Sequence, residues 1–392
     1  MYHFIIITTY TKDIVPIILP PMIFTLKKLY KFTIIIGISL IVGLSHLSSS
    51  SHAFFDNDNN ILNTTLMTTS QVAFEQATNI KSKLVLLTDG LFSDASWGAF
   101  GYNAARTLEE KYGYDVDFKE NVQVQDMESV LAECANAGYG VIIAHGFEWG
   151  KAVLKVSKDY PNTKFILFPG LVHSPNVASI FPMQQEATYL LGTLAAMMSK
   201  TNIIGFIGGE QNPNIINIYE GYKEGAVKVN PTIKILVTYL DDWKNPSKGK
   251  EAALFQINSG ADFLLQVSDT SGLGVIEMAK ERQILVFGSV SDQNKLAPDT
   301  VLTSFVLDVE KAFDQAIQMI QKGNFSGQVF KPGLEPYKGA PGDGIIYIAP
   351  FHNFENKIPE NVKLKLNQLK DDIIRKNIVV PERYNTVDNY DN

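Results

Sequence analysis

The sequence predicts an α/β protein built as two doubly wound parallel-sheet lobes around a cleft. Three observations carry this. Short apolar runs alternate regularly with amphipathic helical patterns from Lys83 onward, the signature of parallel sheets covered by helices on both faces. There are too many such runs for one comfortable sheet. The chain has 392 residues, 45% of them hydrophobic, which is enough for two or three domain cores.

In chain order, Lys27, Lys28 and Lys31 precede the apolar stretch Phe32 to Leu44, and a serine run then leads to Ser51-His52-Ala53. A basic start, a short apolar core and a small-residue site describe a secretory signal peptide over residues 1–53. An uncleaved anchor is the other reading, although the run is shorter than the ~18 residues of a confident span. Met22 gives the signal a conventional short beginning and is the expected true start. No cysteine follows the apolar run, so a membrane tether has to be uncleaved or supplied by a partner. Residues 54–82, rich in Asn, Thr, Asp and Ser, read as a polar linker.

Apolar runs then fall near 84–88, 140–144, 164–168, 202–207, 233–239, 262–267, 284–288 and 301–306. Helical patterns fall at 97–112, 126–137, 148–159, 184–199, 214–229, 248–259, 272–282 and 308–322. The first lobe is expected over 83–184 plus about 300–330, and the second over 185–300 plus about 340–380. A tail follows at 381–392. Gly- and Pro-rich Lys331 to Gly344 connects the two, Gly344 to Pro350 is a last strand, and Pro359 to Lys376 is a closing amphipathic helix.

Composition narrows the chemistry. Acidic residues number 41 against 34 basic, for a net charge of −7, and no basic stripe suits nucleic-acid phosphates. Cys134 is the only cysteine, so an intrachain disulfide or a cysteine zinc site is excluded. No Gly-x-Ser-x-Gly, His-Glu-x-x-His or other close-spaced metal set occurs. No cofactor is implied, and no nucleophile has an evident base.

In open α/β sheets, ligands bind beyond the carboxyl ends of the strands, which selects four loops. After the first strand come Asp94, Ser96 and Trp97, where Ser93 or Asp94 is placed to cap the following helix. After 140–144 come His145, Phe147 and Trp149; Trp149 either faces the cleft or packs under the next helix. Ser268 to Gly274 follows another strand and opens a helix, offering Asp269 and Ser271 to a polar ligand or simply turning the chain. Its Gly272-Leu273-Gly274 is half of a dinucleotide fingerprint, with Glu277 at the third glycine position. Asp292 follows the 284–288 run.

From about Lys83 to Pro381 the chain resembles the basic membrane protein family of solute-binding proteins, which includes purine nucleoside receptors of ABC importers. The resemblance rests on TDGLFSDASWGAFGYNAAR, DYPNTKFILF, NVASIFPMQQEATYLLGTLAAMMSKTNIIGFIGG, IYEGYKEGAVKVNP, GADFLLQVSDTSGLGVIEMAKER, SDQNKLAPDTVLTS and IIRKNIVVP, in order and spacing. It implies the type I periplasmic binding-protein fold, with ligand trapped between lobes by hinge closure. Where the receptors carry a base-stacking aromatic, Trp97 stands; where they carry the next Asn, Gly98. The second stacking ring aligns with Leu265, beside Gln266, and the acid ending the KFILF strand aligns with Pro169. The two ribose-contacting positions align with Val290 and Leu307. A ribose facing Val and Leu loses hydrogen bonds worth about 1–3 kcal/mol per unmet group.

The resemblance thus implies an exported, extracytoplasmic protein that captures a small molecule, a purine base or related compound, for an ABC transporter permease without transforming it. Asp94, Ser96, Trp97, His145, Phe147, Asp269, Ser271 and Asp292 are its expected ligand-binding residues. A membrane-anchored ligand sensor without a transporter and a nucleotide-cofactor enzyme using Gly272 to Gly274 are the alternatives.

Overall fold

The computed structural model describes residues 82–94, 96–336 and 344–383. The expected signal or anchor, the linker up to residue 81 and the tail from residue 384 lie outside the described residues, as do residues 337–343 of the expected connection. Among the described residues no helix is long and apolar enough to cross a membrane.

The first sheet contains β1 (Lys83–Thr88), β2 (Asp115–Lys119), β3 (Val141–His145), β4 (Lys164–Phe168), β5 (Val177–Ile180) and β11 (Val329–Phe330). Their order is β11-β5-β4-β3-β1-β2, and every pairing is parallel. The second contains β6 (Ile203–Gly208), β7 (Lys234–Tyr239), β8 (Phe263–Val267), β9 (Leu285–Gly288), β10 (Val301–Leu307) and β12 (Ile346–Ile348). It runs β12-β10-β9-β8-β6-β7, with β12 alone antiparallel. Strands such as Leu84–Leu87 and Phe263–Val267 are buried on both faces, as continuous apolar runs require.

Helices α1 (Trp97–Tyr112), α2 (Met127–Asn136) and α3 (Gly150–Val156) cover the first sheet, and α4 (Gln184–Met198), α5 (Pro213–Val229), α6 (Pro246–Asn258), α7 (Ser271–Arg282) and α9 (Glu360–Ile374) the second. α4 is buried along nearly its whole length because it packs backbone against backbone on α5. A Cβ on Gly192 would meet the Tyr222 carbonyl oxygen at 1.9 Å, and one on Gly225 would meet that of Tyr189 at 1.9 Å.

The crossover differs from the expectation near residue 300. β10 adds to the second sheet, paired with β9 and β12. The chain leaves only at Asp308, and α8 (Val309–Gln321) packs on α1 of the first lobe before β11 joins that sheet. Asp308 caps α8 through its side chain, so the switch of lobes falls on a helix N-terminus. Register aligns the functional edge. Thr88 lies opposite His145, and His145 opposite Phe168, so the loops that follow emerge side by side.

Candidate functional site

A cavity of about 110 Å³ lies between the carboxyl edges of the two sheets. One water needs only ~10–15 Å³, so the cavity suits a small molecule. The first lobe contributes Asp89, Ser96, Trp97, Phe147, Glu148 and Pro169 to its lining. The second contributes Asn214, Trp243, Lys244, Asp269, Val290 and Gln293, among others.

Four of the eight expected residues, Ser96, Trp97, Phe147 and Asp269, line this cavity. Trp97 begins α1. One face of its indole lies on the imidazole of His145, with centroids 3.9 Å apart and planes 10° apart, which leaves the other for the cavity. Phe168 lies parallel to both rings. Asp269, at φ +52°, reaches from the second lobe to the N-terminus of α1. Its carboxylate accepts from the Trp97 N–H at 3.5 Å and from the Ser96 hydroxyl.

The other four stand elsewhere, each for a local reason. Asp94 is the cap of α1. Its carboxylate accepts from the N–H groups of Ser96 at 2.8 Å, Gly98 at 2.8 Å and Ala99 at 3.0 Å, which occupies its lone pairs with orphan helix donors. His145 is fully buried behind Trp97, and its Nε2 lies 2.9 Å from the Trp97 carbonyl oxygen. That oxygen can only accept, so Nε2 carries the proton, and burial pulls the imidazole pKa down to about 4. A Cβ on Gly101 would meet the His145 ring at 2.6 Å, so a glycine in α1 makes room for it. Ser271 is buried where its hydroxyl donates to the Asp242 carbonyl at 3.1 Å and accepts from the Asn245 N–H at 2.8 Å. It pins the loop that carries Trp243 and Lys244. Asp292 pairs with His352 at 2.7 Å on the surface.

Trp149 is fully buried in the apolar layer under α3. Gly272 and Gly274 are packing glycines: a Cβ there would meet the Gln266 side chain at 1.9 Å or the Pro246 carbonyl at 1.8 Å, which leaves no phosphate cradle. Gly98 could not have been the receptors' Asn, because a Cβ would meet the Leu91 carbonyl at 2.3 Å. Cys134 is buried, and burial raises its thiol pKa, so it is a core residue rather than a reactive one.

Sequence reasoning missed Trp243, Lys244, Asp89 and Glu148. Trp243 sits in the polar turn between β7 and α6, at the same carboxyl edge as the chosen loops. Its indole N–H donates to Glu210. Asp89 directly follows β1 and Glu148 adjoins the singled-out Phe147, and their shared place follows from the β1–β3 register. Burial, then the charges of Asp89 and Glu210, pushes Glu148 up to about 7. Burial likewise lifts Asp269 to about 6, and raises Asp89 against the pull of Lys244. Lys244 reaches across to the Asp89 main-chain oxygen at 3.4 Å. Among the described residues no group of three or more metal-binding side chains occurs.

The arrangement can hold a flat, polar small molecule. Several known proteins are similar to this chain. A purine-binding protein of Brucella abortus is 30% identical over 286 residues, 72% of this chain and 78% of its own. The transcriptional activator protein Med of Bacillus subtilis is 29% identical over 247 residues, 62% of this chain and 77% of its own. An ABC transporter solute-binding protein from Aeropyrum pernix has the same fold, with a TM-score of 0.68 at 23% identity, over 77% of this chain and 94% of that one. The family of ABC transporter substrate-binding proteins of the PnrA-like type matches residues 81–383. That span holds both lobes and the cavity, and the chain belongs to this family.

Proposed function

We propose that the chain captures a purine base outside the cytoplasmic membrane and presents it to an ABC importer permease. The observation that carries this is the Trp97 indole, backed on one face by His145 and bordering the cavity with the other. Such a surface favours a flat ring, by about 0.5–1.5 kcal/mol beyond buried area. Val290, aligned with a ribose-contacting carboxylate of the nucleoside receptors, lines the cavity with an apolar side chain, and Leu307 is buried. Both favour a base over a nucleoside. The similarity to a purine-binding protein of Brucella abortus supports the same ligand class.

Ser96, Phe147 and Asp269 complete the wall around Trp97, while Asp94, His145 and Ser271 hold that wall and its loops in place. The test is mass spectrometry of small molecules released from protein purified without refolding, followed by a thermal-shift panel of bases and nucleosides. A bound ligand raises apparent stability by mass action. A co-purifying, stabilising base is expected. Preference for a nucleoside would refute the argument from Val290 and Leu307, and no response to any purine would refute the ligand assignment.

A second reading, a ligand sensor that regulates without a transporter, is favoured by the similarity to a protein named as a transcriptional activator. Co-purification of permease subunits decides for the importer.

A further inference from the structure

Two carboxylates in the cavity wall have no side-chain donor. Asp89 follows β1 and Glu148 lies in the turn after β3, and the register that sets Thr88 beside His145 brings the two loops together. They converge at Gly146, whose φ is +153°. The point where a Cβ would stand there is 3.2 Å from Asp89 Oδ1 and 3.0 Å from Glu148 Oε2. Both residues line the cavity. The two oxygens therefore flank the same side of Gly146, within the span that one donor nitrogen placed between them bridges at ordinary hydrogen-bond lengths of about 2.7–3.2 Å. Lys244, the one cation in the lining among the described residues, reaches the Asp89 main-chain oxygen instead. Among the described residues, the donors to these two carboxylates are main-chain N–H groups of their own loops.

We propose that Asp89 and Glu148 form a two-acceptor seat for the exocyclic amino group of the ligand, so that the protein selects amino-substituted purines over their unsubstituted and oxo counterparts. The inference rests on the purine reading above. A primary amino group has two diverging N–H bonds and satisfies both oxygens at once. A ring C–H satisfies neither, and an oxo group presents lone pairs to carboxylates that can only accept, which leaves buried acceptors unpaired. The glycine between the acids keeps the seat open, since any side chain at residue 146 would fill the point of convergence.

The effect is expected to depend on pH. Glu148 faces Asp89 and Glu210, and Asp89 faces Lys244 and Asp94. Burial together with the neighbouring acids holds Glu148 near 7. At pH 8 it is mostly an acceptor, whereas at pH 5.5 it carries a proton that an oxo group can accept. The gap between amino and oxo ligands should therefore narrow toward acid.

Calorimetric titration of the ligand-stripped protein with adenine, unsubstituted purine and hypoxanthine at pH 8 and 5.5 tests this. Adenine should bind at least tenfold more tightly than either comparator at pH 8, with hypoxanthine gaining on it at pH 5.5. Glu148→Met and Asp89→Ala, which remove the acceptors, should each bring adenine to the level of unsubstituted purine and leave purine itself within about threefold. Where Glu148→Met fails to fold, Glu148→Gln, whose amide oxygen can still accept but which cannot titrate, should keep a preference for adenine and lose its dependence on pH. Hypoxanthine or purine matching adenine at pH 8, or variants that weaken all three ligands equally, would overturn the seat and leave purine binding standing. An adenine–hypoxanthine gap unchanged by pH would overturn the role of Glu148. Binding of none of the three would overturn the purine reading, and this inference with it.

Discussion

Truncating Trp97 to alanine removes the ring proposed to stack on the ligand while sparing what lies behind it. The His145 Nε2–H bonds the main-chain oxygen of residue 97, which alanine retains, and the cap of α1 is supplied by Asp94. Folding should therefore survive. An aromatic side chain of this size buries about 150–250 Å². With roughly a third of that against a ligand, at about 25 cal/mol per Å², the lost burial is about 1–2 kcal/mol. Stacking geometry adds about 0.5–1.5 kcal/mol. One recovery limits the loss: the imidazole of His145 lies parallel behind the indole at 3.9 Å and becomes a recessed wall. The net expectation is about 1.4–2.8 kcal/mol, a tenfold to hundredfold rise in Kd. Trp97→Phe, which keeps a ring face, should stay within about fivefold. The assay is calorimetric titration with the co-purifying base, alongside urea melts to confirm the fold. An unchanged Kd for the alanine variant would remove Trp97 from the binding surface and refute the stacking argument.

His145 should make the protein acid-sensitive. Its folded pKa of about 4 lies below the ordinary ~6.5, so between those values the unfolded chain binds more protons. Its contribution is fully present above pH 6.5 and is lost as pH falls toward 4, by up to about 1.4 kcal/mol per pH unit. Glu148 and Asp269, whose pKa values are raised, act oppositely, favouring the folded form as pH falls through 7 and 6. The readout is therefore a difference: His145→Phe should lose less stability than the parent between pH 6.5 and 4.5 in urea melts, and parallel curves would contradict this. Asp94→Ala strips the partner from three helix N–H groups and should cost about 1–2 kcal/mol, measured as a lower urea midpoint; a change under ~0.3 kcal/mol would mean water replaces the cap. Asp292→Asn, at a surface pair with His352 outside the cavity lining, should leave ligand affinity unchanged, and a tenfold loss would return Asp292 to the site.

The alternation of runs was legible because most strands are buried on both faces and so read as unbroken apolar segments. What escaped has physical reasons. β2 alternates exposed and half-buried residues, as an edge strand does, and so shows no run. β5 and β11 are four and two residues long, below the length at which a pattern stands out. The loops of the site were legible from the rule of carboxyl ends, but which side chain of each loop faces the cavity was not. Asp94 and Asp269 are both acids in strand-following loops. One turns back to cap its own helix and the other reaches across to the same helix from the opposite lobe. That choice is set by φ/ψ and by neighbours distant in sequence, such as the 172-residue separation between Trp97 and Asp269.

The contacts across the cleft bear on how trapping is linked to ligand. Two direct hydrogen bonds recorded between the lobes at the cavity are long, 3.5 Å from Trp97 to Asp269 and 3.4 Å from Lys244 to Asp89, near the limit at which such bonds contribute. Asp89, Glu148, Glu210 and Asp269 lie near one another across the cleft, with Lys244 the only cation in the lining among the described residues. Burial, ahead of the neighbouring charges, raises the pKa values of all four acids, so taking them out of water as carboxylates is costly. A ligand shifts a two-state equilibrium only by its differential affinity for the two states. A molecule of the proposed kind, stacked on Trp97 and donating hydrogen bonds to these acids, would interact with both lobes only when they are together.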